Sequence, residues 1–154
     1  MGGRSTKAPR WMRIVLGLAG LYNLTWGALV ILFPFWTFEA GGLKQPGQEL
    51  QPPEVWQCLG MVVGVYGIGY LLAARDPFRH WPIVLVGLLG KVLGPLGAVN
   101  AALHDRLPWT TAWTNLLNDL VWWVPFGLIL YRAYRASRDE QREPPPGGPA
   151  KALE

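Results

Sequence analysis

Apolar residues along this chain gather into four blocks of roughly 20 residues, near the length an α-helix needs to cross a hydrocarbon core about 30 Å thick. The blocks run from Ile14 to Trp36, Val55 to Ala74, Ile83 to Leu103 and Thr110 to Tyr131. A helix of a water-soluble bundle shows an apolar stripe with charged residues at its other positions. No such polar face exists here: MVVGVYGIGYLLAA (Met61 to Ala74) and IVLVGLLG (Ile83 to Gly90) are apolar all round. The pattern predicts an all-α fold, a four-helix transmembrane bundle. It divides the chain into a basic N-terminus (1–13), a membrane domain (14–132) and a polar C-terminal tail (133–154). The tail turns charged and then reads EPPPGGPA, a composition that buries too little apolar surface to fold, so disorder is expected there.

With 51% apolar residues in 154, composition alone permits a soluble domain or a small membrane bundle; the blocks decide between them. Charge then sets the orientation. Arg4, Lys7, Arg10 and Arg13 precede the first block, Arg75 and Arg79 separate the second from the third, and Arg132, Arg135, Arg138 and Arg142 follow the fourth. The opposite side has only Lys44 and Arg106. By the positive-inside rule both termini are expected on the cytoplasmic face of the plasma (inner) membrane. The basic excess fits anionic lipid headgroups as partners rather than nucleic acid, since no aromatic-basic platform lies outside the membrane. The first block is too long for a signal-peptide core and no small-residue cleavage site follows it, so it is expected to stay as an anchor. Trp11, Trp36, Trp56, Phe78, Trp81, Trp109 and Tyr131 fall at block edges, where an aromatic belt anchors depth.

Glycines recur every three or four residues, as Gly60, Gly64 and Gly67 in the second block and as Gly87, Gly90, Gly94 and Gly97 in the third. Such spacing predicts helix-packing seams, in which small residues let backbones approach closely; room for a lipid tail or quinone is the other reading. Pro34, Pro95 and Pro125 interrupt the blocks, and each leaves the carbonyl four residues earlier without its helical donor. For Pro95 that carbonyl belongs to Lys91.

Lys91 and Asp119 are the charged residues deep within the blocks. A mid-bilayer charge costs about 2.5 to 3.5 kcal/mol on insertion scales, so it faces a partner or water. At 1.5 Å per residue Lys91 lies about 12 Å, Asp119 about 18 Å and Asn23 about 14 Å from the cytoplasmic edge. A lysine stem spans the difference. At 100° per residue Thr111, Asn115, Asn118, Asp119 and Trp122 share one helical face. The expected polar site is therefore Asn23, Lys91, Asn115, Asn118 and Asp119, with Lys91 and Asp119 paired and Asn23 and Asn118 completing their hydrogen bonds. These groups read either as interhelical glue or as a pocket for a polar headgroup, a quinone or protons. Buried ion pairs stabilise poorly compared with apolar packing, which favours the pocket.

His80 and His104 sit at opposite edges and cannot share a metal or a haem. Cys58 is the single cysteine, so it forms no intramolecular disulfide, and it reads as a small buried hydrophobe. The sequon Asn23-Leu24-Thr25 lies inside a membrane block and is unusable for glycosylation.

The segments WQCLGMVVGVYGIGY (Trp56 to Tyr70), RHWPIVLVGLLGK (Arg79 to Lys91) and NDLVWWVPF (Asn118 to Phe126) resemble a group of small bacterial membrane proteins, some named after alkyl hydroperoxide reductase. The likeness covers most of the chain between its tails. More broadly the layout is similar to DoxX-like four-helix proteins. The borrowed name implies peroxide chemistry, which needs an activated cysteine and usually a resolving thiol; here only Cys58 is present.

Three functions follow from these residues, in order of support. The first is a lipid- or quinone-binding protein, or an accessory subunit that joins another membrane protein. The second is a small proton- or ion-coupled transporter using Lys91 and Asp119, as a homo-oligomer because four helices give a thin path. The third is a membrane enzyme, for which no nucleophile–base pair or metal-ligand spacing exists.

Overall fold

The computed structural model describes residues 8–44, 50 and 52–142. Its described residues form five helices and no strand: α1 (Arg10–Leu32), α2 (Pro34–Ala40), α3 (Pro53–Arg75), α4 (Trp81–Leu103) and α5 (Trp109–Arg142). Helices α1, α3 and α4 have 23 residues each and are long and apolar enough to cross a membrane. By its length α5 would also reach across, with 34 residues. Its first half, however, carries Thr110, Thr111, Thr114, Asn115, Asn118 and Asp119, which lower its hydropathy below that of the other three.

Two boundaries differ from the sequence expectation. The first apolar block does not continue to Trp36. Phe33 adopts φ −132° and ψ 60°, because a residue before proline is excluded from the helical region, and Pro34 restarts the chain as α2. At the other end, residues 133–142 are not an unstructured tail. Helix α5 runs through them to Arg142, since Arg, Ala, Glu and Gln hold a helix well and the first proline comes only at Pro144. Residues 143–154 lie outside the described part.

The long helices form two hairpins, α1 with α3 and α4 with α5. Glycines bring α1 onto α3. A Cβ on Gly27 would stand 2.6 Å from the Gly60 carbonyl oxygen, and one on Gly67 would stand 2.8 Å from the Gly20 carbonyl oxygen. The expected seam is therefore made by Gly60 and Gly67 against Gly20 and Gly27. Gly64 contributes only backbone, because a Cβ on it would meet nothing within 4 Å.

The glycines of α4 do not form a second helix–helix seam. Gly87 faces the Tyr70 ring, Gly94 has only an Asp119 carboxylate oxygen at 3.6 Å, and Gly90 and Gly97 look into open space. Spacing puts them on one face, but that face meets side chains at Gly87 and Gly94 and open space at Gly90 and Gly97, and nowhere a helix backbone.

The hairpins join at one end, here termed the base, where α1 begins and α3 ends. Met12, Leu16, Ala19, Tyr70, Ala73, Val84, Phe126 and Ile129 make the buried core there, with Tyr70 edge-on to Phe126 at 5.1 Å between ring centres. Arg13 Nε donates to the Ala74 carbonyl at 3.2 Å, and Arg132 stacks over Trp11. Beyond the core the outer surface remains apolar; Val65 is 66% and Val124 70% exposed. Cys58 is on that exposed surface and not buried as expected, because the buried face of its helix is taken by Gly60 and Gly67.

The opposite end is held by polar ties. Thr111 Oγ1 donates to the Gly42 carbonyl at 2.6 Å, and Gly42 presents that carbonyl by adopting φ +72°, a conformation open to glycine. Trp56 Nε1 donates to Thr37 Oγ1 at 2.9 Å. Trp56 thus joins α2 to α3 in addition to marking an edge. Gln57 Nε2 donates to the Ile31 carbonyl at 2.8 Å, supplying a donor where α1 stops short.

Candidate functional site

Between the core at the base and the ties at the far end, the hairpins separate around a partly open cavity of about 570 Å³. All five expected polar residues, Asn23, Lys91, Asn115, Asn118 and Asp119, line it. Each arrives there for a reason visible in its helix. Lys91 lies on the buried face of α4 with Val84, Gly87 and Pro95, and it is 8% exposed. Asp119 shares its α5 face with Thr111, Asn115 and Asn118, all of which line the cavity.

Lys91 Nζ donates to Asp119 Oδ1 at 2.8 Å, and the Trp122 ring lies 5.8 Å from the same ammonium. The expected partnership of Asn118 is different. Its Oδ1 accepts from Tyr22 Oη, because Tyr22 reaches across from α1 at the same level and Trp122 packs beside it, 6.1 Å between ring centres. Asn23 does not complete the ion pair either: no hydrogen bond joins its side chain to another described residue, although it is 6% exposed. Asn115 Nδ2 is spent on the Thr111 carbonyl at 2.9 Å.

The backbone carbonyl of Lys91, orphaned by Pro95, has a donor. Trp123 Nε1 binds it at 3.0 Å. Pro95 therefore costs α4 no unsatisfied group at this position, and the same indole fixes α5 against α4 beside the ion pair.

What the cavity offers a guest follows from what its walls have already used. Lys91 has ammonium hydrogens beyond the one given to Asp119, Asn118 retains its amide hydrogens, and Asn23 retains both halves of its amide. Tyr66, Tyr70, Trp26, Leu59 and Val63 supply much of the aromatic and aliphatic wall. The site is thus balanced in charge, rich in donors and largely aromatic and aliphatic, within the usual size range of small-molecule pockets. His80 and His104 lie elsewhere, each with Nδ1 against a carbonyl one turn earlier, Asp76 and Asn100 respectively. Among the described residues no three His, Cys, Asp or Glu side chains cluster as metal ligands would.

Tyr22, Trp26 and Trp123 are site residues the sequence reading did not single out. For Trp123 a signal existed, since the orphan carbonyl of Lys91 required a donor from a neighbouring helix. No protein-family model matches the chain, and neither a curated protein nor a solved structure matches it.

Proposed function

We propose that this chain is a multipass protein of the plasma membrane, crossing four times through α1, α3, α4 and the first part of α5, and that its cavity binds a lipid-soluble molecule with an acceptor-bearing polar head. A quinone and a phospholipid both have that chemistry, through carbonyl or ester oxygens. The observation that carries the reading is Asn23, 6% exposed and facing a cavity of about 570 Å³ with its amide unspent. Its polar atoms open onto the cavity instead of being sealed within protein, so a guest can bond them there, and such a hydrogen bond is worth about 0.5 to 1.5 kcal/mol net. Packing alone gives no reason to keep it.

The test is chemical. Protein purified from native membranes is extracted into organic solvent, and the extract is examined for quinone absorbance and phospholipid phosphate. One ligand per chain, reduced in Asn23→Leu, supports the reading; an extract carrying only bulk detergent-exchangeable lipid refutes it. A second reading, ion-coupled transport, is favoured by the ion pair standing on the cavity wall, and pH-dependent flux in liposomes from protein free of ligand would select it. Orientation is tested separately with reporters fused after Gly47 and after Glu154. Both termini are expected inside on the count of basic residues at the base. An internal signal from Gly47 or an external one from Glu154 would overturn that assignment.

A further inference from the structure

The cavity does not close equally on its two sides. On the side between α1 and α5, Tyr22 bonds Asn118 and leans on Trp122, while Thr111 bonds the Gly42 carbonyl nearer the far end. On the side between α3 and α4, Tyr70 against Gly87 and Gly69 against Ile83 close the base. Beyond that level no side-chain hydrogen bond or ring pair ties α3 to α4 among the described residues. The cavity-lining residues at this margin, Leu59 and Val62 of α3 and Gly90 of α4, are themselves exposed on the outer surface. Gly90 and Gly97 present bare backbone to open space.

Resting on the pocket reading, we infer that the ligand lies across this margin, its polar head at Asn23 and Lys91 and its hydrocarbon tail passing out between α3 and α4 over the glycine face of α4. The physical case has two independent parts. Asn23 is 6% exposed, makes no hydrogen bond to another described residue and has its amide open to the cavity, so the head end of the ligand has a fixed place. The exit is lined by Leu59 and Val62 on one side and by glycines on the other, so it has no charge to solvate and, on the α4 side, no side chain to fill it. A water-soluble solute gains nothing from such an opening. A molecule with a tail keeps the tail in apolar surroundings throughout, and the opening lets it enter from the side without crossing the polar ties of the far end. The substrate class is accordingly a single amphiphile with an acyl or isoprenoid chain. Glycine at positions 90 and 97 is then space reserved for that chain.

Photolabelling in lipid vesicles tests this. Phosphatidylcholine vesicles are prepared with either a phospholipid carrying a diazirine on the acyl carbons next to its head or a benzoquinone carrying the diazirine at the same place on an alkyl tail. Adducts on the cavity residues Tyr66 and Tyr70 are expected from at least one probe, and which probe labels identifies the source of the head. Gly90→Leu fills the exit from α4 and Val62→Trp from α3; neither position is packed, so both variants should fold. Both should lose the Tyr66 and Tyr70 adducts, whereas Gly17→Leu, at an open position of α1 away from the cavity, should keep them. Adducts that persist at wild-type level in both exit variants overturn the route and leave the pocket standing. Wild-type protein that gives no cavity adduct with either probe overturns the pocket and the route together.

Discussion

Removing one member of the Lys91–Asp119 pair should be worse than removing both. At the observed 2.8 Å separation, the Coulomb attraction at an effective dielectric of about 20 is about 6 kcal/mol. Taking the two charges out of water costs several kcal/mol per ion, so the pair as a whole roughly breaks even against apolar side chains of similar size. A single substitution changes this balance. Lys91→Met leaves a carboxylate whose side chain is 16% exposed, facing apolar walls, and should cost about 3 to 5 kcal/mol. Asp119→Leu leaves the ammonium near the Trp122 ring, 5.8 Å away, a contact that returns about 1 kcal/mol and makes this the milder change. The double variant should be more stable than either single one. Unfolding followed by near-ultraviolet circular dichroism, in one detergent for all four proteins, gives the cycle. Single-variant costs that add within about 0.5 kcal/mol would refute the coupling. A stable double variant that fails to carry the proposed ligand, where the wild type carries it, would further show that the pair serves the pocket and is not there only to hold α4 to α5.

Other substitutions probe the frame around the site. Gly27→Ala should destabilise by about 1 to 3 kcal/mol, since its methyl would be forced against the Gly60 carbonyl, while Gly17→Ala, which meets nothing, should be neutral or mildly stabilising in the same melt. Trp123→Phe removes the donor to the Lys91 carbonyl and should cost about 1 to 3 kcal/mol; in a Pro95→Ala background the restored backbone N–H takes that carbonyl, and the cost should nearly vanish. Asp105 holds φ 55° where α4 ends, with Arg106 N–H on the Ala101 carbonyl at 2.9 Å, so Asp105→Gly should raise the unfolding free energy by about 1 kcal/mol. An unchanged or lower transition would mean that Asp105 bears no strain there.

The ion pair was legible in the sequence because helical geometry fixes depth and rotation together, and few residues of these blocks compete for polar partners. Tyr22 was harder to see. In an apolar block a tyrosine reads as a large hydrophobe, and only the distance to Asn118 across the bundle reveals that its hydroxyl is used. The glycines show the opposite difficulty. Spacing places Gly60 and Gly67 on a face as reliably as Gly90 and Gly97, yet one face meets a backbone and the other meets nothing; which it is depends on the neighbour. The partner glycines of that seam, Gly20 and Gly27, stand two helical turns apart in α1 and show no close repeat that would mark them in the sequence. At the C-terminus, the proline-rich end coloured the reading of residues 133–142, whose own composition suits a helix.

The division into two hairpins has a bearing on how the molecule is assembled. Most of the helix–helix packing lies within each hairpin, and the turn from Asp76 to His80 that joins them is short and lies outside the cavity. The α1–α3 pair can therefore form its glycine seam while α4 is still being made, leaving the shared core and the cavity to be created by the last docking event. A chain interrupted in that turn and produced as two pieces should still assemble, through the core at the base.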